Sequence, residues 1–262
     1  MKNKVRLIQR SRRYIIPYVI VLSFTACSVF AQQLPKMNMD SSYNKQDDLK
    51  EMQTEMMLPM AFFTHMGIPL SVGTYGLRTA ALQTQNEGKS KTEFNFQFET
   101  GLYKSLGLFL GGDGLFADPT LEIMFQYIVL KSNDGMSGVS PVIEFEFPFG
   151  KEAARSVNPL VGFASTLSNT KLAFNQVFHY SPLENLAEGS ASIVVKVSEH
   201  IFIVSEISGV TEQDTHPIFN ILGGVKVKLY KNILLGFAYQ LPLTSNRSYS
   251  SQYVFQPNIM LQ

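Results

Sequence analysis

Several segments of the chain alternate strictly between large apolar and polar side chains. In residues 93–99, three phenylalanines (Phe94, Phe96, Phe98) alternate with glutamates and amides. Successive side chains of a β-strand point to opposite faces, so such a segment has one apolar and one polar face. The alternation returns in residues 143–147, 225–229 and 233–241. The pattern predicts an all-β protein.

From Pro69 onward the chain offers about twelve strand candidates bounded by turn residues. They lie near residues 70–86, 91–102, 104–112, 119–131, 139–149, 158–167, 170–180, 190–198, 201–211, 217–230, 232–242 and 250–262. A strand of about 9–11 residues is long enough to cross a bilayer. These segments predict an antiparallel transmembrane β-barrel of about twelve strands over residues 68–262.

The connections between the candidates favour the same interpretation. Short connections lie near Tyr103, Ser168, Glu199 and Lys231, and longer ones at 111–118, 181–189 and 244–249. Short turns at one end and long loops at the other are typical of outer-membrane barrels. Residues 132–138 depart from this pattern, because a short turn is expected there.

A soluble secreted β-sandwich would alternate in the same way, so it is the main alternative fold. The apolar faces are rich in aromatic residues, which would make an unusual sandwich core but suit a lipid-facing surface. Two features oppose the barrel. The chain has no tryptophan for the interfacial girdles, and Pro257 lacks an amide donor within the last strand.

The N-terminus has the organisation of an export signal. Residues 1–13 hold six basic residues and no acid, an apolar run follows to Ala26, and Val29-Phe30-Ala31 forms a small-residue cleavage site. We therefore predict a signal peptide over residues 1–31 and a mature chain in the cell outer membrane. Two alternatives are an uncleaved helical anchor over 14–31 and a lipoprotein whose Cys27 is acylated.

Removal of the signal changes the composition. The whole chain has 22 basic and 21 acidic residues. The six basic residues of the signal leave 16 against 21, a net charge of −5. No basic surface for nucleic acid remains, so we expect no nucleic-acid partner. The single cysteine, Cys27, also leaves with the signal, which excludes a disulfide framework.

Residues 32–67 are rich in methionine and lack the period-two alternation. We predict a short irregular tail or linker in the periplasm. Thioether and imidazole groups bind soft metals such as copper(I), and the weak candidates for such a site are Met37, Met39, Met56, Met57 and His65. Methionine is also a common filler of irregular apolar contacts, so linker or packing roles are the favoured interpretation.

The polar faces of the strands would line the barrel lumen. A basic side chain that faces lipid near the midplane costs about 2–4 kcal/mol, and acidic ones cost less. Repeated carboxylates therefore belong inside. The predicted lumen-facing residues are Glu93, Asn95, Gln97, Glu99, Glu122, Gln126, Glu144, Glu146, Lys196, Glu206, Lys226 and Lys228. Acids on early strands and lysines on late strands predict a field across the lumen, unless the charges pair and fill it.

Motifs of known chemistry are absent from the sequence. It contains no nucleophile elbow, no zinc-binding His-Glu-x-x-His and no phosphate-binding loop. We therefore expect neither catalysis nor a cofactor. The expected partners are outer-membrane lipid, the barrel-assembly machinery during insertion and a small solute.

Two hairpin-like segments, residues 100–108 and 235–243, resemble hairpins of an outer-membrane family described as a putative channel of the MetA pathway of phenol degradation. The likeness spans roughly residues 65–262. It implies a channel or transporter for a small solute. The chain departs from many such barrels because it ends Met260-Leu261-Gln262 and not on an aromatic residue. The alternative function is a non-conducting barrel that serves an efflux or metal-handling system.

Overall fold

The computed structural model describes residues 58–86, 88–115, 119–149, 157–212, 216–244 and 249–261. The predicted signal peptide and most of the predicted tail lie outside these ranges, as do Met37, Met39, Met56 and Met57. The strands are β1 (Tyr75–Asn86), β2 (Lys89–Tyr103), β3 (Leu106–Asp113), β4 (Thr120–Tyr127), β5 (Leu130–Lys131), β6 (Gly138–Pro148), β7 (Asn158–Ser168), β8 (Leu172–Ser181), β9 (Leu186–Lys196), β10 (Ile201–Glu212), β11 (Ile218–Tyr230), β12 (Ile233–Pro242) and β13 (Ser251–Leu261).

The strands form one closed antiparallel barrel. Each long strand pairs with its neighbours in the chain, β4 pairs with β6, and β13 pairs with β1 to close the ring. The two-residue β5 only extends the edge of β6. The ring therefore has twelve strands, which confirms the predicted barrel. The alternative of a soluble β-sandwich is wrong, because the sheet closes on itself instead of packing against a second sheet.

The outer surface of the barrel is apolar, as the alternation predicts. Large hydrophobic side chains point outward on successive strands, among them Phe94, Ile143, Ile203 and Phe237. Aromatic rings on adjacent strands pack against one another, as in Tyr239 and Tyr253, whose centroids lie 5.0 Å apart. A water-soluble protein does not expose such a continuous apolar band. The protein lies in an outer membrane, where lipid covers this surface.

No α-helix with the length and apolar character of a membrane span occurs in the part of the chain that the structure describes.

The two ends of the barrel differ in their connections. One end, here called the near end, carries the start of β1 and the connections 104–105, 128–137, 169–171, 197–200 and 231–232. The opposite end, the far end, carries the connections 87–88, 114–119, 149–157, 182–185, 213–217 and 243–250. Short turns face the periplasm in barrels of this class, which assigns the near end to the periplasm. The long connection 128–137, which holds β5, is the exception already visible in the sequence.

Pro257 interrupts the seam where the barrel closes. It pairs with Leu235 of β12, but the ladder between β13 and β1 has no pairs between Arg78–Asn258 and Ala81–Phe255. A proline cannot donate to the ladder, so pairing fails locally. The seam remains closed on both sides of this gap.

Candidate functional site

Residues 58–70, here called the plug, lie inside the barrel. Ala61, Phe62, Thr64 and Met66 are almost completely buried, and they bond to inward-facing side chains of the wall. The sequence assigned residues 58–67 to a linker, because they lack any strand periodicity. Their burial comes from contacts with strands far away in the sequence, which periodicity does not reveal.

The first half of the plug binds to β11 and β13. Lys226 is fully buried, and its Nζ donates to the carbonyl of Ala61 at 2.9 Å and to Gln256 Oε1 at 2.8 Å. The same Nζ lies 4.7 Å from the centroid of the Phe62 ring, a cation–π contact. Gln256 Nε2 in turn donates to the carbonyl of Phe62 at 2.8 Å. A buried charge is tolerated only when its donors are satisfied, and the plug supplies part of that satisfaction.

Two glycines of the wall make room for the Phe62 ring. A Cβ atom at Gly224 would lie 2.7 Å from Phe62 Cε2, and one at Gly236 would lie 2.8 Å from Phe62 Cε1. These distances are well below van der Waals contact. Gly224 pairs with Ala238, and Gly236 pairs with Lys226, so the two glycines lie diagonally across β11 and β12 and form a shallow seat for the ring.

Glu206 on β10 holds the turn of the plug. Its Oε2 accepts from the amides of Phe62 and Phe63, both at 3.1 Å, and its Oε1 accepts from Thr64 Oγ1 at 2.8 Å. Thr64 Oγ1 also lies 2.9 Å from Ser190 Oγ on β9. Hydrogen bonds to a charged acceptor are the stronger kind, so this carboxylate is a principal anchor of the plug.

The second half of the plug binds to the opposite wall. Gln126 Nε2 on β4 donates to the carbonyl of Met66 at 2.8 Å. Ser140 Oγ on β6 donates to the carbonyl of Gly67 at 2.7 Å, and the amide of Gly67 donates to Thr166 Oγ1 on β7 at 2.7 Å. The plug therefore crosses the lumen, and side chains of the wall satisfy its backbone groups from both sides.

His65 lies at the middle of the plug. Gln97 Nε2 on β2 donates to its Nδ1 at 3.1 Å, and its ring packs edge-on against Phe109. The amide oxygen of Gln97 accepts from the buried Arg78 guanidinium. His65, the one soft-metal candidate within the described residues, thus has a protein partner at Nδ1.

Acidic side chains gather on the inward face toward the far end. The group comprises Glu93, Asp113, Glu122, Glu144, Glu146 and Glu188. Oxygens of Glu122, Glu144 and Glu146 lie within 4.8 Å of one another, and they offer the oxygen ligands that calcium or magnesium takes. His179 Nδ1 lies 3.3 Å from Glu144 Oε2 and 3.2 Å from Glu188 Oε1. We call the six acidic residues of this group the acidic vestibule.

A chamber of about 140 Å³ lies on the near-end side of the plug. Leu58, Met60 and Ile68 of the plug form part of its lining, and lysines of the wall form another part. At its rim, Lys196 Nζ lies 2.8 Å from Glu199 Oε2. A hydrogen bond from Lys196 and its positive charge lower the pKa of the exposed Glu199 carboxyl.

The strand register places all twelve predicted lumen residues on the inward face. Gln97, Gln126, Glu206 and Lys226 bond to the plug directly, and the others share strand parity with residues that do. The register separates most of the charges along the barrel axis. Glu93, Glu122, Glu144 and Glu146 lie toward the far end, and Lys196 and Lys228 toward the near end. The sequence predicted a separation across the lumen, because composition does not show where along its strand each residue lies.

Sequence reasoning missed several plug-binding residues. They are Arg78, Ser140, Thr166, Ser190 and Gln256. Their signal was present, because each occupies a polar position on the inward face of its strand. Three of them carry only a small hydroxyl group, which is a weaker sequence signal than a carboxylate.

Comparison with known proteins supports the fold. No protein-family model matches the chain, and no curated protein matches it. Among solved structures, the KdgM porin superposes with a TM-score of 0.56 at 9% identity, over 71% of this chain and 99% of that chain. The NanC porin gives 0.52 at 7%, over 72% and 99%. An outer-membrane channel from Pseudomonas putida F1 gives 0.52 at 10%, over 78% and 100%.

The protein therefore has the fold of outer-membrane porin-type channels. At these identities the likeness concerns the fold. The more specific resemblance to the MetA-pathway family stays a prediction.

Proposed function

We propose that the barrel is a gated channel for small polar solutes, and that the plug closes it in the conformation described here. The observation that carries the proposal is the path of the plug, which binds β10, β11 and β13 on one side and β4, β6 and β7 on the other. A segment bound to both walls obstructs the lumen between them. The fold shared with porins supports passage once the obstruction moves.

The chemistry of the contacts suits a gate. The plug belongs to no strand, and it is held by hydrogen bonds to side chains and by the seat of one aromatic ring. A hydrogen bond between neutral groups contributes about 0.5–1.5 kcal/mol net and one to a charged group about 1.5–3 kcal/mol, because water replaces it when it breaks. The plug can therefore leave as a unit without disturbing the ladder of the barrel.

The acidic vestibule makes the channel prefer cations to anions. Glu93 pairs with Lys91, and Glu144 and Glu188 lie against His179, but the acidic side chains outnumber these basic partners. The excess of acid at the far-end entrance raises the local concentration of cations and repels anions. One solved structure is of the KdgM porin in complex with disordered oligogalacturonate, a polyanion. An acidic entrance disfavours such a ligand, so we assign this chain to cationic, zwitterionic or neutral solutes. The MetA-family resemblance is compatible with a small solute and does not name it.

The plug also supports a second candidate function. A barrel whose lumen stays filled would not conduct, and it would serve as an accessory component of an efflux or metal-handling system. When the plug is loosened, a gated channel conducts ions, whereas an accessory barrel does not.

Conductance in planar bilayers separates the two functions. The Phe62→Ala variant removes the ring from its seat between Gly224 and Gly236, and we expect its open probability to rise at least about tenfold over the unmodified protein. The control is Phe125→Ala, which removes the same side chain from the lipid-facing surface. If neither protein conducts, the accessory function replaces the channel. If the unmodified protein conducts as steadily as Phe62→Ala, the plug is not a gate.

A further inference from the structure

The chamber beside the plug combines an apolar inner surface with a cationic rim. The plug contributes Leu58, Met60 and Ile68, and the wall adds Phe202 and Leu234. A single buried water needs about 10–15 Å³ of such volume, so about 140 Å³ is ample for a small organic molecule. The chamber is therefore a cavity of ligand size and not a packing defect.

Basic side chains outnumber acidic ones in the lining of the chamber, which holds Arg78, Lys131, Lys196, Lys228 and Lys231 against Glu99 and Glu199. Within the residues that the structure describes, neither Lys131 nor Lys228 forms an ion pair with a carboxylate. Lys196 pairs with Glu199, whose side chain is 80% exposed. A solvent-exposed pair of this kind is weak, and a competing anion can displace it.

The geometry points to a binding site for an amphipathic organic anion, in which a carboxylate meets the lysine rim and an apolar body lies against the plug. This inference deepens the proposed function, because it names the class of molecule that contacts the closed gate from the periplasmic side. Opposite ends of the lumen then differ in chemistry. The far end attracts cations, and the near-end chamber holds anions. A ligand bound against the plug adds contacts to the closed conformation and so stabilises it.

Straight-chain carboxylates serve as probes of the site. We propose isothermal titration calorimetry of the mature barrel in lipid nanodiscs with acetate, butanoate and hexanoate, with empty nanodiscs subtracted. Affinity should rise by about threefold to fourfold for each methylene that becomes buried. Hexanamide has the same apolar body without the charge, and it should bind at least about fivefold more weakly than hexanoate.

Removal of two rim charges tests the lysines. The double variant Lys131→Gln/Lys228→Gln should weaken hexanoate binding by about fivefold and leave hexanamide binding unchanged. The matched control is Lys171→Gln, which removes an exposed charge from another near-end connection outside the chamber. Heat-modifiability on gels shows that each variant is folded.

Two results would overturn the inference. One is equal affinity for hexanoate and hexanamide, and the other is loss of hexanoate binding in Lys171→Gln as large as in the double variant. Neither result depends on conductance. A barrel that binds hexanoate but never conducts refutes the channel and keeps the binding site. A barrel that conducts but does not bind hexanoate refutes the binding site and keeps the channel.

Discussion

Lys226 and Gln126 lie on strands at opposite points of the barrel ring, and both donate to backbone carbonyls of the same short segment. Lys226 on β11 binds Ala61, and Gln126 on β4 binds Met66. Five strands lie between β4 and β11 in either direction around the ring. The six residues from Ala61 to Met66 thus connect the two walls, so the plug spans the lumen.

Among the lysines, Lys226 is expected to cause the largest loss of stability when it is substituted. Lys226→Met keeps the apolar stem but leaves Gln256 Oε1 without its donor, at a cost of about 1–3 kcal/mol for a buried acceptor left unsatisfied. The carbonyl of Ala61 keeps only the long 3.5 Å bond from Arg78 Nη1. We expect a lower unfolding temperature and a plug that proteases reach more readily. Lys228→Met, two residues further along the same face, should change neither the unfolding temperature nor the protease sensitivity of the plug. Lys228 makes no side-chain hydrogen bond to the plug among the described residues. Equal effects of the two substitutions would contradict the anchor role.

The acidic vestibule should control ion selectivity. Glu144→Gln combined with Glu146→Gln keeps size and hydrogen bonding while it removes two charges. Measured in the Phe62→Ala background from reversal potentials, cation preference should fall, most clearly at low salt where screening is weak. Glu199→Gln at the near-end rim is the control and should leave the preference unchanged. An unaltered preference in the double variant would mean that the vestibule does not act on permeating ions.

The face assignment predicts opposite outcomes for neighbouring residues of β2. Phe96→Lys places a charge toward lipid, at a cost of about 2–4 kcal/mol near the midplane, and should reduce the folded fraction on heat-modifiability gels. Asn95→Lys points inward toward the acidic vestibule and should be tolerated, because it removes only the hydrogen bond from the Gly114 amide to Asn95 Oδ1. Sequence alone suggests Gln97→Lys as the tolerated change, but Gln97 binds Arg78, and a lysine there would meet that guanidinium. Similar behaviour of Phe96→Lys and Asn95→Lys would show that the register is shifted by one residue.

The barrel could be predicted from sequence because its signal is local. A period of two in segments such as 93–99 identifies a strand and both of its faces without any knowledge of its neighbours. The strand count and the outward phenylalanines follow from that rule. Even the long connection between β4 and β6 has a sequence signal, which is the departure from the turn pattern at residues 132–138.

The plug could not be predicted in the same way. Thr64 and Glu206 are 142 residues apart, and their contact exists only after the ring has closed. A buried segment whose backbone bonds to side chains needs no periodicity of its own. The sequence pattern also does not show that most acids and the near-end lysines lie toward opposite ends of the barrel. Alternate strands run in opposite directions, so the end at which a residue lies depends on its position within its own strand.

The most direct test of the account is a reversible covalent link between the plug and the wall. Thr64 Oγ1 and Ser190 Oγ lie 2.9 Å apart, close enough for cysteines at both positions to form a disulfide. In a Cys27→Ser, Phe62→Ala background, the double variant Thr64→Cys/Ser190→Cys should be silent in planar bilayers when oxidised. It should conduct after reduction, whereas each single cysteine variant should conduct under both conditions. Steady conductance of the oxidised, fully cross-linked protein would contradict the claim that the plug closes the channel.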